Sequence, residues 1–382
     1  MTAPPLIPFT KPFVVGDELS YVAQSFVSPD VAGDGPFTRR ATELVTKITG
    51  GLGSLLTTSC THALEMTALL LDLEPGDEVI MPSFTFVSTA NAYALRGAVP
   101  VFVDISRTTL NLDEKLLEAA ITERTKAVVV VHYGGIACAM DEILAIAERH
   151  GLAVVEDNAH GFGGSYRGRP LGSLGVMATQ SFHGTKNVHC GEGGALICNT
   201  EDLLARAEII REKGTNRSQF FRGQVDKYRW VDIGSSYLPA DPLAAFLTGQ
   251  LERFEEIQAP RQAIWTSYDE SLRGWAAEHG VRTPVVPDGC VHPAHVYFLV
   301  MPSHEHQQGL IRHLRERGIV APFHYLPLHS SPAGQKYGRV APGGCPVTDQ
   351  VSEGLVRLPL FTQLTESELA RVVDGVTSYT VS

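Results

Sequence analysis

The sequence predicts an α/β fold with a mostly parallel central sheet flanked by helices and a smaller C-terminal α+β domain. From about residue 60, short runs rich in β-branched residues alternate with helical patterns, which is typical of βαβ units. The run at residues 127–131 is continuously apolar, as expected of a strand buried on both faces of a sheet. The 382 residues exceed what one hydrophobic core usually serves, so we expect two domains.

The order of the predicted elements places the boundary between these domains near residue 250. The predicted strands cover residues 79–81, 99–103, 127–132, 153–157, 179–182 and 195–198, and the predicted helices between them cover 61–73, 113–121, 140–150 and 201–213. A long helix is then predicted over 251–274, followed by prolines, a strand at 295–300 and a helix at 305–317. We therefore assign residues 1–250, including an N-terminal arm of about 40 residues, to a large domain, and residues 251–382 to a small C-terminal domain.

Composition excludes several classes of protein. A net charge of −11 argues against binding to a nucleic-acid polymer, which depends on neutralising phosphates. The first residues lack a basic region followed by an apolar run, and no apolar stretch reaches the ~20 residues of a membrane span. The six cysteines show neither CxxC nor zinc-finger spacing, and no HExxH motif is present, so free thiols and no metal are predicted. We expect a soluble cytoplasmic protein.

Polar and aromatic residues follow several predicted strands. Asp157 ends one strand, Lys186 lies four residues after another, and Phe86 follows a third, while Thr61 starts a predicted helix. Because ligands of open α/β sheets bind at the carboxyl ends of the strands, these side chains should lie close together. Taken singly, each has a simpler structural explanation, such as a helix cap, a solvated lysine or a core phenylalanine. Their occurrence together, in this order along the chain, indicates a site.

The set matches what pyridoxal 5′-phosphate needs. A lysine forms an imine with the cofactor and moves protons, and a carboxylate keeps the ring nitrogen protonated so that the ring withdraws electrons. An aromatic side chain covers the ring, and a helix N-terminus with hydroxyls, here Thr61 helped by Ser181, binds the phosphate. No GxxxxGK[ST], GxSxG or GxGxxG motif is present, which disfavours a phosphate-loop enzyme, a serine hydrolase and a nicotinamide dehydrogenase.

These residues, together with the segments around them, resemble the DegT/DnrJ/EryC1/StrS family of sugar aminotransferases, which are fold-type I pyridoxal-phosphate enzymes. The resemblance runs from about residue 8 to 362, nearly the whole chain. The shared segments are residues 59–61, 82–89, 155–157, 181–187, 191–194 and 325–329.

The resemblance implies a role for individual residues. Lys186 would hold the cofactor and Asp157 would pair with its ring nitrogen. The ring face would be covered by Phe86, and the phosphate would be bound by Cys60, Thr61 and Ser181. His160 would contact the ring hydroxyl, at a position where glutamine is common in the family. Ser236 stands where many members have an asparagine that reaches the phosphate of the partner subunit. Leu238 and Leu243 replace the arginine and glutamine usual in that last stretch.

The same resemblance implies a function. Residues 211–228 and 232–237 are similar to a subgroup that makes dTDP-4-amino-4,6-dideoxygalactose. We expect transfer of an amino group from L-glutamate to a dTDP-4-keto-6-deoxyhexose, giving the glucose or galactose configuration, by a homodimer with shared active sites. Alternatives are a 3-keto-sugar aminotransferase, a dehydratase of the same family, which would carry histidine in place of Lys186, and a catalytically silent sugar-nucleotide-binding protein.

The diphosphate of such a substrate needs cationic groups along the cleft. Lys213 and Arg217, in a predicted loop, and His329, in a Pro-Leu-His turn, are the candidates. The alternative for Lys213 and Arg217 is interaction with the C-terminal dipole of the helix that ends near residue 213.

Overall fold

The large sheet consists of eight strands, and its order explains how the site residues meet. The structure is a computed structural model that describes residues 5–28 and 30–381; residues 1–4, 29 and 382 of the predicted domains lie outside these ranges. The strands are β1 Gly53–Thr57, β2 Glu78–Pro82, β3 Val99–Val103, β4 Thr125–Val131, β5 Ala153–Asp157, β6 Ser165–Tyr166, β7 Arg169–Pro170, β8 Met177–Ser181, β9 Gly194–Cys198, β10 Cys290–Val291, β11 Tyr297–Val300, β12 Arg339–Val340 and β13 Leu355–Leu358.

The sheet is mixed but mostly parallel, which confirms the predicted fold class. Its order is β1-β9-β8-β5-β4-β2-β3-β12. The five pairings from β8 to β12 are parallel, and only those of β9 with β8 and β1 are antiparallel. The carboxyl ends of β2, β4, β5 and β8 therefore lie at one edge.

Helices cover both faces of this sheet and surround a second, two-stranded one. The helices are α1 Glu18–Val27, α2 Pro36–Thr49, α3 Cys60–Leu70, α4 Val87–Ala94, α5 Leu117–Ala120, α6 Met140–His150, α7 Glu201–Arg211, α8 Arg217–Phe221, α9 Asp241–Glu252, α10 Phe254–Glu278, α11 His304–Glu316, α12 Pro332–Tyr337, α13 Pro346–Gly354 and α14 Glu366–Thr377. In the described part of the chain, no helix combines the length and apolar character that a membrane span requires. All six cysteines are free thiols, as predicted.

Alternation along β4 shows why the strands have continuous apolar sequences. Val129 packs into the core that includes α3, whereas Val128 and Val130 pack into the core that includes α6. Successive side chains of a strand point to opposite faces, so a sheet covered on both sides needs apolar residues at every position. Tight packing on both faces fixes the register of the central strands and thus the positions of their carboxyl ends.

The antiparallel pair β11 and β13 lies in a separate hydrophobic cluster with α10, α11 and α14. Ile7, from the start of the chain, is buried in this cluster, and its backbone pairs with Gly318 and Val320. The predicted N-terminal arm thus packs partly on the C-terminal segment. The predicted division between residues 250 and 251 stays a prediction.

Several predicted elements were wrong in detail. The helix predicted over 251–274 is in fact α9 followed by α10, because Arg253 adopts the non-helical angles φ −112° and ψ 30° between them. The helix predicted over 113–121 is a 3-10 turn at Glu114–Leu116 followed by a single α-helical turn. Strand β1 and the two arm helices α1 and α2 were not predicted.

A buried carboxylate ties β5 to the turn before β8. Glu156 accepts hydrogen bonds from the backbone N–H groups of Gly172, Leu174 and Gly175, all 2.8 Å long, and from His132 Nε2 at 3.0 Å. His132 Nδ1 accepts the N–H of Cys138 (3.1 Å), so the proton of its ring lies on Nε2. Burial opposes ionisation, but these hydrogen bonds outweigh it and lower the pKa of Glu156.

Glu156→Gln should therefore destabilise the protein. The amide nitrogen would face two hydrogen-bond donors and leave them unsatisfied, so we expect a loss of about 3 kcal/mol in the free energy of unfolding, measured by urea denaturation. Glu148→Gln, at an exposed position of α6, is the matched control and should unfold like the wild type. Equal midpoints for the two variants would contradict the role assigned to Glu156.

Candidate active site

A cavity of about 800 Å³ opens at the carboxyl edge of the large sheet. One wall is formed by the ends of β5 and β8 and the starts of α3 and α4; the other comes from the C-terminal part of the chain and from Phe9 and Thr10. Seven of the predicted site residues line it, namely Cys60, Thr61, Phe86, Asp157, His160, Ser181 and Lys186. Residues spread over more than 120 positions of sequence thus meet in one place.

Asp157 is the last residue of β5 and is almost fully buried. Thr89 Oγ1 donates to its Oδ2 at 2.7 Å, and the N–H of Ala159 donates to its Oδ1 at 3.2 Å. Burial raises the pKa of Asp157, although these hydrogen bonds and the positive charge of Lys186 oppose the rise. The carboxylate is therefore held rigidly in an environment where a cationic partner would stabilise its charge strongly.

Lys186 lies in the loop after β8, and its neighbour fixes that loop. Asn187 Nδ2 donates to the carbonyl oxygen of Pro293 at 2.6 Å, and its Oδ1 accepts from His295 Nδ1 at 2.9 Å. Burial lowers the pKa of Lys186 to about 8, which the negative charge of Asp157 partly offsets. A larger fraction of the amine than in an ordinary lysine is consequently neutral and nucleophilic near neutral pH.

The N-terminus of α3 provides an anion-binding site. Ser59 caps the helix by accepting the N–H of His62 at 3.1 Å, and the hydroxyls of Thr61 and Ser88 lie 2.8 Å apart. Gly194, at the start of β9, approaches so closely that a Cβ there would lie 2.4 Å from the backbone N of Cys60. The N–H groups of the first turn, the helix dipole and the nearby hydroxyls together favour a phosphate.

Three histidines form a stacked group in the cavity. The ring of His160 lies 4.3 Å from that of His295 and 6.1 Å from that of His324. Burial and the positive charge of Lys186 hold the pKa of all three well below the usual value, so the rings are neutral at neutral pH. His160 Nδ1 accepts the N–H of Gly134 (3.3 Å), which places the ring proton on Nε2.

Four predicted site residues do not line the cavity of their own chain. Lys213 Nζ pairs with Glu212 at 3.2 Å, and the guanidinium of Arg217 lies 5.0 Å from the ring centre of Phe221. His329 Nδ1 is 2.7 Å from Ser83 Oγ. Ser236 is exposed and is not among the residues that line the cavity.

Sequence reasoning missed His295 and Arg357, which line the cavity from the C-terminal part beside His324. One signal was present, since Arg357 interrupts the otherwise apolar strand Leu355–Leu358. A charged residue in a short buried strand is uncommon unless it has a partner.

The residues present fit the cofactor predicted from the sequence. A lysine with a lowered pKa, a buried carboxylate and a hydroxyl-rich helix N-terminus line the same cavity. The ring of Phe86 is 55% exposed on the cavity wall, so its face is free to stack on a planar ligand.

Comparisons with known proteins agree with this chemistry. The model of the "DegT/DnrJ/EryC1/StrS aminotransferase family" matches residues 14–377. Protein MJ1066 of Methanocaldococcus jannaschii is 32% identical over 376 residues, covering 97% of this chain and 96% of its own. The aminotransferase TlmJ from Streptoalloteichus hindustanus superposes with a TM-score of 0.89 at 30% identity, covering 98% of both chains. Spr1654 from Streptococcus pneumoniae, solved in PLP and PMP forms, has 26% identity; the PLP form gives a TM-score of 0.88 and covers 98% of both chains.

The lowered pKa of Lys186 can be measured in the ligand-free protein. We expect its rate of acetylation to rise with pH and to level off above about pH 9, because the amine loses its proton near pH 8. Quantitative mass spectrometry of the modified peptides would give the profile, with the exposed Lys47 as the control. Lys186 and Lys47 profiles that run in parallel over this pH range would contradict the assignment.

Proposed function

This chain belongs to the DegT/DnrJ/EryC1/StrS aminotransferase family, and on that basis we propose that it transfers an amino group from L-glutamate to a dTDP-4-keto-6-deoxyhexose. It is an aminotransferase that uses pyridoxal 5′-phosphate. The observation that carries the proposal is the meeting of Lys186, Asp157 and the N-terminus of α3 in one cavity. The cavity is roomy enough for a sugar beside the cofactor, since small-molecule sites commonly measure about 300–1,000 Å³.

Pyridoxal phosphate supplies an electron sink that stabilises negative charge on the carbon bearing the amino group. Lys186 would hold the cofactor covalently and, as an amine of lowered pKa, would move a proton to and from that carbon. Asp157 would keep the proton on the ring nitrogen, since a buried carboxylate fixed by Thr89 favours a cationic neighbour.

The remaining contacts would orient the cofactor. Cys60, Thr61 and Ser181 would hold its phosphate, and Phe86 would cover one face of the ring. Burial raises the pKa of the Cys60 thiol, so this side chain acts as a neutral group. His160, with its proton on Nε2, would donate a hydrogen bond to the ring hydroxyl.

We further propose a homodimer. The segment between α7 and α9, which includes the short helix α8, exposes apolar side chains, among them Trp230 at 80% and Phe221 at 69%. Exposed apolar patches of this kind mark interaction surfaces, and two-fold pairing is the commonest assembly. Ser236 lies on this segment and would reach the phosphate site of the partner.

The predicted diphosphate contacts of Lys213, Arg217 and His329 stay predictions, as does a cytoplasmic location.

The substrate proposal predicts that the enzyme aminates dTDP-4-keto-6-deoxyglucose with L-glutamate. The measurement is a coupled assay of 2-oxoglutarate release, followed by NMR of the sugar product to locate the new amine. The matching 3-keto isomer is the comparison substrate. Amination of the 3-keto sugar alone would refute the 4-keto assignment.

Two variants tie this activity to the site. Lys186→Ala and Asp157→Asn should fold but lose about 100-fold or more in turnover, because each removes a group that handles a proton. Borohydride should fix the cofactor to the peptide containing Lys186 in the wild type and not in Lys186→Ala. Lys47→Ala, at an exposed position, is the control and should keep full activity. Normal turnover in either site variant would remove that residue from the mechanism.

The homodimer proposal predicts a two-chain species in analytical ultracentrifugation at working concentrations. Trp230→Glu should weaken it by at least about tenfold, because burying a carboxylate in an apolar interface is costly. Tyr337→Glu, at another exposed aromatic, should leave dimerisation unchanged. A fully active wild-type monomer would contradict shared active sites.

A further inference from the structure

Arg357 is a cation in the cavity wall that lacks an anionic partner. Its Nη2 donates to the carbonyl oxygen of Phe323 at 3.0 Å, and the guanidinium lies 4.5 Å from the ring centre of Phe9. Its Nε is buried without a hydrogen-bond partner. Within residues 5–28 and 30–381, no Asp or Glu forms an ion pair with Arg357. Its side chain is therefore held in place while most of its donor capacity is unused.

Such an arrangement is costly in the protein alone. Burial lowers the pKa of Arg357, yet a guanidinium keeps its charge in proteins. Arg357 is half-buried, and a charge that is partly withdrawn from water is stabilised by a counter-ion. The packing on Phe9 and the bond to Phe323 fix the orientation of the guanidinium, so an anionic ligand entering the cavity would meet preorganised donors.

The other groups on the cavity wall show which cation is available to bind an anionic substrate group. Among the described lining residues, Lys186 and Arg357 are the only lysine and arginine, and Lys186 is committed to the cofactor in the proposed function. The stacked histidines His160, His295 and His324 are neutral, and the fourth lining histidine, His183, lies 3.5 Å from the carboxylate of Glu192. The cofactor phosphate has its own site at α3. Arg357 is thus the cation left for an anion carried by a substrate.

The position of Arg357 distinguishes the two substrates. Arg357 lines the same cavity as Lys186, and it donates to Phe323, whose neighbour His324 lies 6.1 Å, ring to ring, from His160. The carboxylate of an α-amino acid is attached directly to the reacting carbon, whereas the diphosphate of a nucleotide sugar is separated from the keto carbon by the sugar ring. We propose that Arg357 binds the α-carboxylate of the amino donor. This inference rests on the proposed transamination.

The proposal makes Arg357 specific to one half of the reaction. The keto sugar carries no carboxylate beside its reacting carbon, so the guanidinium serves the amino acid and the 2-oxo acid that it becomes. A donor is then recognised by its α-carboxylate, and amines without one should be poor donors.

The test compares half-reactions of the holoenzyme. With Arg357→Gln, stopped-flow conversion of the PLP form by L-glutamate or L-alanine should lose about 100-fold in second-order rate constant, the effect of losing a charge-assisted pair of hydrogen bonds. Conversion by benzylamine, which lacks a carboxylate, should change by less than about threefold. The reaction of the PMP form with the keto sugar should also be unchanged. Arg357→Lys should recover part of the loss because it keeps the charge but not the two-pronged geometry.

A binding measurement separates recognition from turnover. Titration calorimetry of 2-oxoglutarate into the PLP form should show affinity lowered at least about tenfold in Arg357→Gln. Arg371→Gln is the matched control, because Arg371 also donates to backbone carbonyl groups but lies outside the cavity. It should behave like the wild type in every assay, and thermal unfolding should confirm that both variants fold.

The outcomes are distinct. A loss confined to amino acids and 2-oxoglutarate supports the proposal. Equal losses in both half-reactions, no loss, or a loss confined to the sugar overturn it; the last result would assign the guanidinium to the diphosphate. Since the donor half-reaction is measured without sugar, a wild type that accepts glutamate but not the keto sugar would refute the proposed sugar substrate and leave the test of Arg357 intact.

Discussion

The carboxylate of Glu156 is the contact on which the site depends. It is one residue from Asp157, and it joins β5 to the turn that leads into β8 through three backbone hydrogen bonds. The two strands also pair in parallel, so their carboxyl ends leave the sheet side by side. With Glu156 buried and hydrogen-bonded on both oxygens, neither strand can slide by one residue without leaving several donors unpaired. The separation between Asp157 and the lysine loop is consequently fixed by the core rather than by the cavity itself.

The charged side chains of the cavity are few, and they lie at separate places on its wall. The acidic side chains of the cavity wall are Asp157 and Glu192, the basic ones with a full charge are Lys186 and Arg357, and the rings of His160 and His324 are neutral. In a poorly hydrated site, each of these charges acts more strongly than it would in water. A cofactor with a cationic ring nitrogen and an anionic phosphate would complement this distribution, and so would an amino acid with its carboxylate turned towards Arg357.

Sequence reasoning predicted the part of the site that local patterns encode. Parallel strands have recognisable runs of β-branched residues, and their carboxyl ends meet, so Asp157, Phe86 and Lys186 could be brought together without coordinates. The contributions of His295 and Arg357 to the cavity wall could not be predicted, because they come from a part of the chain whose placement depends on tertiary packing. The break at Arg253 was missed since the apolar pattern continues through it. Strand β1 was missed because its glycine-rich start resembles a turn.

The pairing of Ile7 with residues 318 and 320 has a consequence for biosynthesis. During synthesis, Ile7 has to wait for partners made more than 300 residues later, which at ~5–20 residues per second is a delay of roughly 15 to 60 s. Phe9, two residues further on, lies against Arg357 and cannot take its place before that strand has been made. The pocket is therefore completed only after the strand that carries Arg357 has been made, and a nascent chain without that strand cannot bind substrate as the mature enzyme does.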